Sequence, residues 1–242
     1  MKAFALTNMG VRRNTNQDYA YVSEQNVGNL PNILIVADGM GGHKAGEVAS
    51  EQAVNAVLES IKQNESKDKI TIIEEAIAKA NEKVLNMATS DEKFKGMGTT
   101  LVVATLENDI LYVANVGDSR LYLIDNDDIR QITRDHSLVQ EMVSLGELDK
   151  ESARTHARKN VITRAIGVNE KIIADFFEVD ISENTKILLC SDGLSNMVED
   201  SQINDIVKEC AGKTLDDTVH KLIDIANENG GLDNIAVVLA QV

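Results

Sequence analysis

The chain has few of the residues that mark secreted or disulfide-stabilised proteins. Its 242 residues include two cysteines, one proline, four tyrosines, four phenylalanines and no tryptophan. Cys190 and Cys210 show no paired spacing, which argues against a disulfide framework or a thiolate zinc site and is typical of a reducing compartment. A single proline leaves no proline-rich linker. We therefore expect a cytoplasmic protein with a mainly aliphatic core.

Positive charge and long apolar runs are also scarce. The chain carries 24 Lys and Arg against 39 Asp and Glu, a formal net charge of −15. This balance argues against nucleic acid as a partner, because neutralising phosphates requires clustered Lys and Arg, and against anionic membranes. The longest apolar runs, such as 33–37, are too short to span a bilayer. The N-terminal segment becomes polar at Thr7, too early for a signal peptide.

The chain does contain many strand and helix patterns. Period-two or continuous apolar runs predict strands at 4–6, 19–23, 33–37, 99–106, 110–116, 120–124, 129–133, 172–179, 186–190 and 234–240. Helical periodicity appears at about 46–62, 70–89, 137–146, 201–211 and 215–229. The four consecutive strands from 99 to 133 have short connections, which predicts antiparallel pairing. Helices grouped against antiparallel sheets indicate an α+β layered fold, which we expect to be one monomeric domain over residues 1–242.

Four aspartates lie where predicted strands meet turns, and a fifth begins a strand. They are Asp38, Asp118, Asp192, Asp233 and, at a strand start, Asp18. Because the end of one antiparallel strand lies beside the start of its neighbour, these carboxylates could converge. Oxygen ligands without Cys favour Mg²⁺ or Mn²⁺ over zinc. Asp-Gly and Asp-Asn are also ordinary turn formers, so a structural α+β domain whose acids only form turns stays open.

Residues 38–43 could be mistaken for a nucleotide-binding loop. A strand, a glycine-rich stretch and a helix follow one another there, as in a dinucleotide-binding fold. However, Lys44 occupies the position that needs the third glycine, and Asp38 would set a carboxylate against the pyrophosphate. No Gly-Lys-Ser/Thr follows at P-loop spacing either. The pattern disfavours nucleotide binding.

Six short motifs together resemble a known family. They occur in the order RNTNQD (13–18), DGMGGH (38–43), GTT (98–100), GDSR (117–120), SDGL (191–194) and GLDN (231–234). This series is similar to that of the metal-dependent serine/threonine protein phosphatases of type 2C, in their compact bacterial form. The resemblance implies a four-layer α-β-β-α sandwich, with two central antiparallel sheets flanked by helix pairs. It also implies hydrolysis of phosphoserine and phosphothreonine in proteins by a metal-activated water, reversing the action of a serine/threonine kinase.

The resemblance implies a set of oxygen ligands for two or three Mn²⁺ or Mg²⁺ ions. Asp38 matches the carboxylate that bridges two metals, and the carbonyl of Gly39 matches a ligand of the second. Asp192 and Asp233 match ligands of the first metal. Asp118, together with Asp192, matches the third-metal site of bacterial members. Asp18 matches an acid that holds metal-bound water.

The resemblance also implies residues that handle the substrate. Arg13 matches the residue that clamps the phosphate, since a guanidinium offers two parallel donors. His43 lies where a general acid is expected for the basic leaving alkoxide. Residues 146–167 match a flap near the cleft, where Arg158 and Lys159 are candidates for binding phosphorylated protein. The expected partners are phosphorylated proteins, including a serine/threonine kinase and its substrates. A non-catalytic relative acting as a binding module stays an alternative.

Overall fold

The structure, a computed structural model, describes residues 1–42, 44–125 and 128–242. These residues form eleven strands and seven α-helices, with a 3₁₀ turn at Glu92–Phe94. The strands are β1 Lys2–Asn8, β2 Asp18–Ser23, β3 Ile33–Met40, β4 Gly98–Thr99, β5 Leu101–Glu107, β6 Ile110–Val116, β7 Arg120–Asp125, β8 Asp128–Gln131, β9 Asp175–Asp180, β10 Lys186–Cys190 and β11 Ile235–Gln241. The helices are α1 Ala45–Gln63, α2 Lys69–Ser90, α3 Leu138–Ser144, α4 Lys150–Thr155, α5 Asp192–Ser195, α6 Asp200–Glu209 and α7 Leu215–Glu228.

The strands form two antiparallel sheets. One sheet has the order β1-β11-β10-β7-β8, and the other has the order β2-β3-β5-β6-β9, with β4 paired to β3. Helices α1 and α2 cover the outer face of the second sheet, while α6 and α7 cover the outer face of the first. These four layers confirm the predicted α-β-β-α sandwich.

Side-chain alternation in the central strands explains why the layers stack. In β3, Ile33 and Ile35 pack towards the helix pair, whereas Leu34 and Val36 pack between the sheets. Strand β11 divides its side chains in the same way. A strand that is buried on both faces has a continuous apolar sequence, as residues 33–37 do.

The connection from β6 to β7 departs from the sequence prediction. The four strands between 99 and 133 do not all pair in succession, because β6 belongs to one sheet and β7 to the other. The chain crosses between the sheets at residues 117–119. Gly117 has φ of +108°, a backbone conformation that a side chain would strain, and a Cβ there would lie 2.6 Å from Cβ of Thr100. This crossing carries Asp118.

Two short helices were missed by the periodicity. Helix α4 lies inside the segment 146–167, the expected flap, and α5 begins at Asp192 immediately after β10. Both have fewer than seven residues, too few for a hydrophobic repeat to be read. Across residues 1–42, 44–125 and 128–242, none of the helices has the length and apolar character needed to cross a bilayer.

Candidate active site

Asp18 and Asp38 lie opposite each other at one end of the sandwich. Asp18 begins β2, and its register partner on β3 is Asp38. The backbone of Asp38 is fixed by two threonines: its N–H donates to Thr100 Oγ1 at 2.9 Å, and its carbonyl accepts from Thr99 Oγ1 at 2.9 Å. The two carboxyl groups are in contact.

Asp192 reaches the same point from the other sheet. It is the first residue of α5, directly after β10, and its carboxyl contacts that of Asp38. Asn196 Nδ2 donates to Asp192 Oδ2 at 2.9 Å. The preceding residue joins the sheets, because Ser191 Oγ donates to Asp18 Oδ2 at 2.6 Å and accepts from the N–H of Ala236 at 2.8 Å.

Asp118 is held close by through the crossing between the sheets. Ser119 Oγ lies 2.7 Å from Thr100 Oγ1, the hydroxyl that also accepts from the Asp38 N–H. On the other side, the N–H of Gly117 donates to Nδ1 of buried His136 at 3.1 Å. Residues flanking Asp118 are therefore anchored to both the β4–β5 connection and the segment before α3.

The carboxylates raise one another's pKa. Burial and then the negative charge of Asp192 raise the pKa of Asp118 to about 8. Burial outweighs the Ser191 hydrogen bond and raises the pKa of Asp18 to about 7. For Asp192, burial and then Asp233 raise the pKa to about 6. Burial and the charge of Asp18 hold the pKa of Asp38 well above its ordinary value. These groups repel one another unless protons or cations are bound among them.

The donor set fits a hard divalent cation. Asp18 Oδ1 and Asp192 Oδ1 are buried oxygens without a hydrogen-bond partner, although a buried carboxylate oxygen normally has one. The available donors are all oxygens, the ligands that Mg²⁺ and Mn²⁺ prefer. As the side chains stand, no group of three His, Cys, Asp or Glu residues among the described ones is placed so that it could hold a metal ion. Contacts between carboxyl groups, as at Asp38, bring these oxygens together instead.

Gly39 lies in the tightest part of this region. Its N–H donates to the carbonyl of Gln17 at 3.1 Å, and a Cβ added there would lie 2.0 Å from the carbonyl of Gly46. Strand β3 therefore passes close to the start of α1 only because residue 39 has no side chain.

Arg13 and Asp233 form an ion pair beside the carboxylates. Arg13 Nη2 lies 2.7 Å from Asp233 Oδ2, and half of the Arg13 side chain is exposed. The loop that carries Arg13 is fixed by the buried amide of Asn234, which donates to the carbonyls of Met9 and Thr15 at 2.8 Å each. The same amide accepts from the N–H of Gln17 at 2.9 Å. Arg13 is thus positioned with one side of its guanidinium paired and the rest accessible.

A cleft of about 370 Å³ adjoins Asp118 and Asp192. Lys159 and Arg154 of the segment 146–167 line it, and the positive charge of Lys159 opposes the rise in the pKa of Asp192. Two bridges, Ser137 with Ile162 and Thr99 with Ile166, fix that segment to the sandwich. Arg158 is exposed and is not among the residues that line this cleft.

The structure therefore brings together most of the residues that the motifs singled out. Asp18, Asp38, Asp118, Asp192 and Asp233 lie at one end of the sandwich with Arg13 and Lys159 beside them, whereas Arg158 lies apart. His43 lies outside the described residues. The structure adds supporting residues to which the sequence assigned no role: Thr100, Ser119, Ser191, Asn234 and His136. Each of the first four adjoins an aspartate or lies in one of the six motifs, and that position is the sequence feature that could have identified it.

Comparison with known proteins identifies the family and agrees with the fold. Residues 9–235 match the family described as Protein phosphatase 2C. A serine/threonine phosphatase, stp, of Listeria welshimeri is 42% identical over 245 positions, covering 100% of this chain and 96% of that protein. The structure of the Streptococcus agalactiae serine/threonine phosphatase superposes with a TM-score of 0.91 at 36% identity, covering 100% of this chain and 99% of that one. The catalytic domain of the protein phosphatase PstP, solved with two manganese ions, superposes with a TM-score of 0.87 at 30% identity over 99% of this chain and 97% of that one. The chain therefore belongs to the Protein phosphatase 2C family.

Proposed function

We propose that Asp38, Asp118, Asp192, Asp233 and the Gly39 carbonyl hold two or three Mn²⁺ or Mg²⁺ ions. The chain is a metal-dependent serine/threonine protein phosphatase by family. The observation that carries the ligand assignment is the convergence of four other aspartates on Asp38, each of which raises its pKa. The two unpartnered buried oxygens, on Asp18 and Asp192, support it. Divalent cations bound in such a cluster lower the pKa of water and orient it for attack on phosphorus.

The remaining residues act on the substrate phosphate and on water. Arg13 donates parallel hydrogen bonds to phosphate oxygens from the accessible side of its guanidinium. Asp18 accepts a hydrogen bond from the attacking water with the carboxylate that Ser191 orients. His43, by sequence position, donates the proton that the leaving serine or threonine oxygen needs. Lys159, at the cleft wall, attracts the anionic phosphoprotein.

The same proposal extends to the cellular setting. A phosphatase acting on phosphoserine and phosphothreonine in proteins opposes a serine/threonine kinase, so the kinase and its substrates are the expected partners. Cys190 and Cys210 are both free and buried, which fits the reducing cytoplasm. We further propose that residues 1–242 act as one monomeric catalytic domain, with 146–167 as its flap.

One experiment tests the catalytic assignment against a binding module and against a purely structural domain. Hydrolysis of a phosphothreonine peptide is measured with Mn²⁺, with EDTA, and with Asp38→Asn or Asp192→Asn. We expect EDTA and either substitution to lower kcat/KM by at least roughly a thousandfold, since the charge stabilisation is lost. Asp205→Asn, an exposed aspartate on α6, is the matched control. Activity that survives chelation and both substitutions would refute the assignment.

A further inference from the structure

An exposed apolar cluster lies beside the proposed phosphate-binding residue. Among the residues that the structure describes, seven large apolar side chains are exposed, and three of them, Met9, Val11 and Leu232, lie on two adjoining loops. Their exposed fractions are 43%, 62% and 56%. Singly exposed apolar residues are common, but a group at one place marks an interaction surface.

The two loops are held rigidly against each other. The N–H groups of Val11 and Arg12 both donate to the carbonyl of Gly231, at 2.9 and 3.1 Å. Gly10 has φ of +77°, and a Cβ there would lie 2.1 Å from the carbonyl of Asp233, so the two backbones are in direct contact. A Cβ on Gly231 would lie 2.7 Å from Val11 Cγ2, which places the Val11 side chain over Gly231. The backbones that carry the three apolar residues are therefore held together, and the Val11 side chain is placed at their contact.

The same two loops carry the ion pair of the proposed site. Val11 is two residues from Arg13, Leu232 precedes Asp233, and Arg13 pairs with Asp233 at 2.7 Å. An extended peptide advances about 3.3–3.6 Å per residue. Residues one or two positions from a phosphoserine or phosphothreonine bound at Arg13 are therefore within reach of these side chains.

We propose that Met9, Val11 and Leu232 form an apolar rim that binds a large aliphatic or aromatic side chain of the protein substrate, one or two positions from the phosphorylated residue. The inference rests on the proposed role of Arg13 and gives that site a substrate preference. Burying a flanking apolar side chain against the rim removes apolar surface of both partners from water. A substrate with polar flanking residues lacks this contribution.

The test compares two phosphothreonine peptides of equal length and net charge. One has Leu at both positions on each side of the phosphothreonine, and the other has Ser. We expect the wild type to prefer the Leu peptide by roughly three- to tenfold in kcat/KM, mainly through KM, and Val11→Ser or Leu232→Ser to remove most of that preference. Ile173→Ser is the matched control, because Ile173 is 71% exposed and precedes β9, the edge strand opposite β2.

The outcomes separate the rim from the catalytic site. A wild type that does not distinguish the peptides, or variants that keep the full preference, would overturn the rim even if Asp38→Asn abolishes hydrolysis of both peptides and of p-nitrophenyl phosphate. If Asp38→Asn stays active while the Leu preference and its loss in the variants are both observed, the metal-ligand assignment fails and the rim stands. Melting temperatures check that each variant folds, and Val11→Thr, which keeps the side-chain shape, replaces Val11→Ser if the latter melts early.

Discussion

Asp18 lies directly opposite Asp38 across β2 and β3, with the two carboxyl groups in contact. Cross-strand neighbours of like charge destabilise a sheet, and burial strengthens the repulsion. The pair is tolerated because Ser191 binds one carboxylate and a proton can lie between the two. A cation that accepts both groups as ligands removes the conflict, so this pair links the stability of the fold to its metal.

Replacing Asp38 by Asn should stabilise the metal-free protein while it abolishes activity. The amide removes one buried charge and can donate to Asp18 or Asp192. At pH 8 in EDTA we expect the unfolding free energy to rise by about 1 kcal/mol, or roughly 2–4 °C in Tm. Differential scanning fluorimetry measures it, and Asp205→Asn should leave Tm unchanged. A lower Tm for Asp38→Asn in EDTA would show that the carboxyl cluster is not strained.

The guanidinium geometry of Arg13 should matter more than its charge. Arg13→Lys keeps the positive charge but cannot donate two parallel hydrogen bonds to phosphate. We expect kcat/KM for a phosphothreonine peptide to fall by about tenfold, since one charge-assisted hydrogen bond is lost. Arg12→Lys, on the neighbouring exposed residue, should have no effect. Equal losses from the two substitutions would argue against the role of Arg13.

Lys159 and Arg158 should contribute differently to substrate binding, because only Lys159 lines the cleft. Lys159 lines the cleft, and its positive charge opposes the rise in the pKa of Asp192. Arg158 is exposed and lies outside the cleft lining. Lys159→Glu should raise KM for a phosphoprotein by roughly threefold or more and affect p-nitrophenyl phosphate less, because electrostatic attraction to a large anion is lost. Arg158→Glu is the matched variant. It should change the KM for the phosphoprotein and the KM for p-nitrophenyl phosphate less than Lys159→Glu does. A larger effect from Arg158→Glu would mean that the segment 146–167 binds substrate on its outer face.

Buried His136 should make stability depend on pH. Burial lowers its pKa, although Asp175 opposes the shift, and Arg164 and Asp135 also face the ring. The folded protein keeps His136 neutral and accepting from Gly117, so its contribution is present above about pH 6.5 and is lost as pH falls through the lowered value. His136→Asn should cost about 1–2 kcal/mol at pH 8.

The readout for His136 is the difference in Tm between wild type and His136→Asn from pH 8 to pH 5. Comparing the two proteins removes the contribution of the carboxylates, which titrate in both. The difference should narrow towards pH 5. A difference that stays constant over this range would contradict a neutral, buried His136.

The sequence predicted the layers well because both sheets are buried on both faces. Strands such as β6 and β10 have the predicted bounds, since their apolar runs end at turn residues. It could not predict that β6 and β7 belong to different sheets, because a three-residue connection looks the same for a hairpin and for a crossing. That crossing is what carries Asp118 towards Asp192.

The sequence predicted the carboxylates of the candidate site better than it predicted the residues that orient them. An aspartate after an apolar strand is visible in the sequence, but the partner that orients it lies far away along the chain. Ser191 and Asp18 are separated by 173 positions, and Asn234 and Gln17 by 217. Arg158 and Lys159 are adjacent in sequence and equivalent by charge, and the fold of the segment 146–167 decides which one faces the cleft.

The most direct test of the metal site is the number of ions bound. Wild type and Asp38→Asn are dialysed to equilibrium against Mn²⁺ at pH 7.5, and bound manganese per chain is counted by mass spectrometry. We predict two or three ions per wild-type chain and at most one in Asp38→Asn, because the carboxylate assigned to bridge the ions is gone. A wild type that binds no Mn²⁺, or an Asp38→Asn variant that binds as many ions as the wild type, would contradict the assignment of these aspartates as the metal ligands.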